Sequence, residues 1–218
     1  MSRSLVAITG AAHGIGEALA REAVQRGHRV ALFDRDEDAL NNLRAVLGVA
    51  ECVVCAGDVS SDDDLRRFND LIALQGGPLH MVFANAGILR AGDILAQDSA
   101  QLAHMFAVNV FGTIRTAKAL IPSMQAQAEA SLFVVTGSTS MLSAGAGFGG
   151  YAASKHALLA LTEALDAELL RSGSKVRAAL LCPSAVQTGI ADGDSHLLDK
   201  LKQRMTTHGI SPDQMARI

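Results

Sequence analysis

Tyr151 and Lys155 stand four residues apart in a segment of helical period, so both side chains leave one face of the same helix. A free phenol ionises near pH ~10, too high for ready proton exchange at neutral pH. A nearby ammonium, or a cationic nicotinamide, favours the phenolate and lowers that value. Tyr151 then becomes usable for general acid–base work. The same spacing also occurs in plain surface pairs, so the pair needs a third group. Ser138 follows the apolar run Leu132–Thr136. It therefore stands at the carboxyl end of a strand, where open α/β sheets bind ligands. A hydroxyl there can donate to a substrate carbonyl oxygen and stabilise developing negative charge. Ser140 and Ser143 compete for that role by residue type alone.

A second constellation lies near the start of the chain. Thr9-Gly10-Ala11-Ala12-His13-Gly14-Ile15-Gly16 follows the first apolar run and opens a helical segment. Glycines there permit a tight turn and close backbone approach, and helix N–H groups can meet the phosphates of a dinucleotide. Asp34 ends the second apolar run, 18 residues after Gly16. An acid at that point can accept both hydroxyls of an adenosine ribose, which favours NAD, and it repels the extra phosphate of NADP. Arg35 could bind that phosphate, which leaves NADP possible. The plain alternative for Asp34 is a cap for the next helix. His13 is expected to line the phosphate loop.

The glycine spacing, Gly-x-x-x-Gly-x-Gly, resembles the short-chain dehydrogenase/reductase family. Other stretches are similar to it in chain order. Asn85-Ala86-Gly87 matches the family's Asn-Ala-Gly motif beside the adenosine, and Asp58-Val59 matches the pair that contacts the adenine. Asn109 matches a helix asparagine that, in the family, kinks its helix and holds a water linked to the lysine. The family's serine precedes its tyrosine by thirteen residues, which selects Ser138 over its neighbours. The resemblance implies a catalytic set of Ser138, Tyr151, Lys155 and Asn109. It implies that Lys155 holds the nicotinamide ribose and that Tyr151 exchanges a proton with an alcohol or carbonyl oxygen as hydride passes. It also implies cofactor contacts from Pro183, Val186 and Thr188.

Positioning these groups calls for strands that end at one edge. Strand candidates are Leu5–Thr9, Arg29–Phe33, Cys52–Ala56, Met81–Ala84, Leu132–Thr136 and Val176–Leu181. Helix candidates alternate with them at Gly14–Arg26, Glu37–Leu47, Asp62–Leu74, Ser99–Gln127 and Tyr151–Ser172. Near-continuous apolar strands alternating with helices predict a doubly wound, mostly parallel α/β sheet, the Rossmann fold, in a single domain over 1–218. Ser61 before Asp62-Asp63-Asp64 reads as a helix cap, and Gly76-Gly77-Pro78 as a stop.

Composition narrows the function classes. With 218 residues, 49% of them hydrophobic, the chain can bury a core. A net charge of −3 gives no footprint for nucleic acid and no polybasic patch for a membrane. No apolar run reaches the ~20 residues of a membrane span. Cys52-Val-Val-Cys55 has a redox or metal spacing, but within a strand it points its thiols to opposite faces. Together these predict a cytoplasmic enzyme with free thiols.

Two departures from the family pattern stand out. Ser184 replaces the glycine of its usual Pro-Gly-x-x-x-Thr. The ending at Ser211–Ile218 resembles the opening turns of the family's last helix, so its last edge strand is expected to be missing. Residues 184–209 are the expected substrate lid. Ile88, Leu89, Ala144, Ala146 and Phe148 are the expected apolar wall, for a largely apolar alcohol or ketone. The resemblance also implies a homodimer formed through the two long helices. Rival readings are an NAD-dependent epimerase or dehydratase, and a cofactor-sensing protein without turnover.

Overall fold

The computed structural model describes residues 3–75, 77–184, 186, 190 and 210–217. Six parallel strands form one sheet: β1 (Leu5–Thr9), β2 (Arg29–Asp34), β3 (Cys52–Ala56), β4 (Leu79–Ala84), β5 (Ser131–Thr136) and β6 (Val176–Leu181). Their order is β3-β2-β1-β4-β5-β6. The chain moves outward from β1 to β3, then returns to the other side of β1 for β4. That reversal opens a crevice beyond the carboxyl ends of β1 and β4, the ligand position of doubly wound sheets. All five residues of β1 are buried, as a strand covered on both faces requires.

Helices α1 (Gly14–Gln25) and α2 (Glu37–Leu47) cover one face, and α3 (Asp62–Leu74) with residues 112–125 and 149–171 covers the other. The larger core layer joins Phe33, Phe68, Phe133, Leu120 and Leu158. The second joins Ile8, Leu19, Leu32 and Leu40. Truncating any such buried aromatic to Ala costs about 3–5 kcal/mol. Cys52 belongs to the second layer and Cys55 to the first, so the two thiols lie on opposite faces of the sheet and both are free. Burial pushes the Cys52 thiol up to about 11, so it is not a ready nucleophile.

The capping chemistry explains several boundaries. Ser61 accepts from the Asp64 N–H at the start of α3, and three acids follow in its first turn. Asp36, rather than Asp34, caps α2 by accepting from Ala39. β4 begins at Leu79, two residues before the expected Met81; exposed His80 interrupts the apolar run without ending the strand. The expected helix Ser99–Gln127 is three segments. Helix α4 (Ser99–Phe106) runs into a π-helical turn, Ala107–Phe111, and then into α5 (Gly112–Gln125). The π turn centres on Asn109, whose side chain is wholly buried.

Helix α6 (Gly149–Arg171) starts two residues before Tyr151. A short final helix, α7 (Pro212–Ala216), opens with a capping box from Ser211 and Gln214 and packs on α1. A parallel bridge joins Val186 to Ile210. Apart from Ser184, Val186 and Ile190, the expected lid 184–209 lies outside the described residues. Among the described residues, β6 is the outermost strand on its side, and no helix is long and apolar enough to cross a membrane.

Candidate active site

Every expected site residue among those described lies on or behind the carboxyl edge of the sheet. The glycine loop is shaped by contacts that exclude side chains. Gly10 has φ +64, and a Cβ there would stand 2.7 Å from the Ala86 backbone. At Gly16 a Cβ would fall 1.9 Å from the Gly10 carbonyl oxygen, so only glycine lets α1 approach β1. Asn85 locks the loop from the next strand. Its amide donates to the carbonyls of Thr9 and Gly10 at 3.2 and 3.1 Å. Helices α2, α3 and α4 each have a side-chain cap, whereas α1 has none at His13. Among the described residues, the first N–H groups of α1 therefore have no side-chain cap at the position where a diphosphate would meet them.

Beside the loop lies a cavity of about 110 Å³, lined by Gly10, Phe33, Asp34, Arg35, Gly57, Asp58, Val59, Ala86, Gly87, Ile88, His104 and Val108. Asp34 is held by two backbone donors. Its Oδ2 accepts from Ala12 N–H at 3.0 Å and its Oδ1 from Asp36 N–H at 3.1 Å. Each oxygen keeps a lone pair for a ribose hydroxyl. Asp58 is fixed by accepting from Ser60 N–H at 2.7 Å. A carboxylate pair, a glycine cradle and an uncapped helix start suit the adenosine diphosphate half of a nicotinamide dinucleotide. His13 does not line this cavity. Its exposed ring pairs with Asp36 at 2.9 Å. Ile15 packs into the core behind the loop.

The catalytic candidates converge at the ends of β5 and α6. Ser138 caps a single 3₁₀ turn, Thr139–Met141, and Tyr151 and Lys155 enter from the first turns of α6. Tyr151 is 8% exposed and packs with Leu89 and Met105. Lys155 is 2% exposed, and its Nζ donates to the Thr136 carbonyl at 2.9 Å. Gly87 faces both partners: a Cβ there would stand 3.3 Å from Lys155 Nζ and from Asn109 Oδ1.

The electrostatics differ from the sequence expectation. Burial pushes the Tyr151 phenol up to about 12. The Ser138 hydroxyl pulls the other way, although the pair makes no well-formed hydrogen bond. Lys155 does not offset the burial. Its Nζ lies over the ring, 5.8 Å from the centroid, and desolvation lowers its own value to about 8. At neutral pH the phenol is therefore held protonated, poised as a donor to an oxygen above it.

Asn109 sits in the π turn, where the helix is expected to kink. Its Oδ1 accepts from Ile88 N–H at 2.8 Å, and its Nδ2 donates to Ile88 O and to Ser154 Oγ, both at 3.0 Å. Both amide hydrogens and one lone pair of Oδ1 are used within the protein, and the second lone pair stays open. The side chain clamps the loop after β4 against α6. Its carbonyl, in the π turn, accepts from Thr113 at 2.9 Å.

Of the cofactor candidates after β6, Pro183 and Val186 are buried, and Thr188 lies outside the described residues. The Pro183 carbonyl accepts from Thr139 N–H at 2.9 Å, tying that segment to the Ser138 turn. In the expected apolar wall, Leu89, Ile88 and Phe148 pack around Tyr151, while Ala144 and Ala146 are exposed. Sequence reasoning missed His104 and Val108 on the adenosine cavity, Ser154 beneath Asn109, and exposed Leu142 at the end of the Ser138 turn. The i, i+4 spacing from His104 to Val108, just before Asn109, was the available signal for the first pair.

Comparison with known proteins agrees with this geometry. The short chain dehydrogenase family profile matches residues 4–197. A 1-deoxy-11-beta-hydroxypentalenate dehydrogenase from Streptomyces exfoliatus is 34% identical over 85% of the chain and 68% of its own length. An uncharacterised NAD-dependent oxidoreductase from Mycobacterium tuberculosis is 31% identical over 94% of the chain and 79% of its own length. A short-chain dehydrogenase/reductase from Burkholderia phymatum, solved with NAD, superposes with a TM-score of 0.92 at 29% identity, over 99% of the chain and 84% of that protein. An alcohol dehydrogenase from the archaeon Thermococcus sibiricus, solved with 5-hydroxy-NADP, gives 0.86 at 28% identity, over 99% and 88%. Glycine loop, adenosine cavity and family match agree: the chain belongs to the short-chain dehydrogenase/reductase family and is an NAD(P)-dependent oxidoreductase.

Proposed function

We propose that Tyr151, Ser138 and Lys155 interconvert an alcohol and a ketone on a largely apolar small molecule, with NAD preferred over NADP. The observation that carries this is the burial of Tyr151 as a neutral phenol at the carboxyl edge, with Ser138 and Lys155 around it. When bound, the nicotinamide accepts or gives the hydride. Tyr151 gives its proton to the ketone oxygen in reduction and takes it back in oxidation. Ser138 donates a hydrogen bond to the same oxygen and stabilises its growing charge. Lys155 reaches the ribose on the nicotinamide side and keeps a positive charge near the phenolate left after proton transfer. Asn109 is a positioning residue that holds Gly87 and Ile88 in place.

Gly10, Gly14, Ile15 and Gly16 present the loop and helix start to the diphosphate, and His13 borders them. Asp34 takes the ribose hydroxyls, which supports the NAD preference. Arg35 at the same rim leaves NADP a weaker second cofactor. Asp58, Val59, Asn85, Ala86 and Gly87 form the adenosine wall, and Pro183, Val186 and Thr188 form the nicotinamide side. Leu89 and Phe148 beside Tyr151, Ile94 beside Gly149 and Leu142 after the Ser138 turn favour an apolar substrate. Ile190 packs against the Tyr151 cluster, which supports a role for 184–209 in covering that substrate. Exposed Phe111 and the exposed alanines 153, 160, 164 and 167 of α6 support a homodimer through those helices. Buried Cys52 and Cys55 support a reducing cytoplasmic setting.

The test is Tyr151→Phe with an alcohol and ketone panel, read at the nicotinamide absorbance. Turnover should fall about 10³–10⁴-fold while NAD dissociation changes less than about threefold. Undiminished turnover in that variant overturns the assignment.

A further inference from the structure

We infer that Ser140 is a positioning residue that locks the Ser138 hydroxyl as a one-way hydrogen-bond donor toward the reacting oxygen. This rests on the reading of Tyr151 and Ser138 given above. A serine hydroxyl has one proton to donate and two lone pairs that accept. At Ser138 both lone pairs are taken by one residue. The Ser140 N–H donates to Ser138 Oγ at 3.2 Å, and the Ser140 hydroxyl donates to the same atom at 2.9 Å. The first bond is ordinary capping of the 3₁₀ turn and would exist with any residue at 140. The second needs a hydroxyl there.

Two consequences follow from that second bond. With its acceptor positions filled, Ser138 has only its proton left to offer, and the Tyr151 hydroxyl is its neighbour. It cannot turn its lone pairs toward the phenol proton and compete for it. Donation into Ser138 Oγ also polarises its O–H, so Ser138 becomes the stronger donor as charge grows on the oxygen. The local backbone keeps this arrangement stiff. Thr139 N–H donates to Pro183 O at 2.9 Å, and the ring Nδ1 of His156 meets Met141 O at 3.0 Å, so both ends of the turn are tied to neighbours.

The chain offers an unusually clean readout. Tyr151 is its single tyrosine and there is no tryptophan, so near-ultraviolet phenolate absorbance reports Tyr151 alone. The experiment compares wild type with Ser140→Ala, Ser140→Thr and Ser138→Ala. Each is followed by circular dichroism, by phenolate titration without cofactor, and by kcat and KM. Ser140→Ala should keep the fold and lower kcat about tenfold with KM within about twofold. Its phenolate should titrate higher than in wild type, because Ser138 then donates less strongly. Ser140→Thr, which restores a hydroxyl, should recover most of both changes. A folded Ser140→Ala with wild-type kcat and titration overturns the inference, as does a folded Ser140→Thr no better than alanine. If Ser138→Ala is impaired while Ser140→Ala is silent, only this inference falls. If Ser138→Ala is also unimpaired, the catalytic reading falls with it.

Discussion

The glycine loop and the Tyr151–Lys155 pair occupy the same edge of one sheet, yet they are held by opposite means. Around the loop, polar groups find partners. Asp34 is bonded twice to backbone, Asn85 twice to carbonyls, and shape is set by the absence of side chains at Gly10 and Gly16. Around Tyr151, ionisable groups are taken out of water with little compensation, and both are driven toward their neutral forms. One region is stable because it is satisfied. The other is reactive because it is not, and the surrounding core bears the cost.

The sharpest way to break this contrast is to put a methyl group into the satisfied side. In Gly16→Ala the new carbon meets the Gly10 carbonyl at 1.9 Å, a backbone atom that cannot move alone. NAD affinity should fall more than ~100-fold, and unfolding free energy should drop by about 3 kcal/mol or more. Calorimetric titration and urea unfolding measure both. The reactive side should respond with the opposite sign. Lys155→Met should lower kcat at least ~100-fold yet raise the thermal midpoint, since it removes a buried cation disfavoured by desolvation.

Asp34→Ser leaves the loop's shape intact and removes the negative charge. It should move the NADP-to-NAD preference about 100-fold, or ~2.7 kcal/mol, as read from kcat/KM with each cofactor. The smallest effect expected is on stability against pH. Lys155 ionises near 8 in the fold and near 10.5 when unfolded, so the folded state sheds that proton first and gains stability as pH rises through this window. The advantage of Lys155→Met over wild type should therefore shrink by about 2 kcal/mol between pH 7 and 9.5. Tyr151 works the other way only above pH ~10, where the unfolded phenol ionises first. A constant difference between the two proteins across that range would show that Lys155 is less desolvated than its position implies.

Local signals told most of the fold. Apolar runs marked β1 and β3 to the residue, because those strands are bounded by polar or glycine residues, and β6 to the residue despite exposed Arg177 inside it. His80 hid the start of β4, since one exposed polar residue breaks a run without breaking a strand. In the site, the glycines, Asp34, Ser138, Tyr151 and Lys155 could be named from spacing and family likeness. What could not be read was direction. The sense of the Tyr151 shift depends on how deeply α6 sinks against Leu89 and Met105, and the partners of Asn109 depend on a loop 21 residues away in sequence. Such long-range facts are not carried by composition or period.

The π turn at Ala107–Phe111 has a mechanical consequence. One surplus residue in a helix rotates everything beyond it by about 100° relative to everything before it. Helix α4 thus aims His104 at the adenosine cavity, and the turn itself contributes Val108, while α5 directs Arg115, Lys118 and Ala119 to the groove beside α3. A regular rod of the same residues would keep one bearing from end to end. Here a single rod serves two bearings, and deleting one residue at Val110 would swing the second half out of alignment without touching either wall.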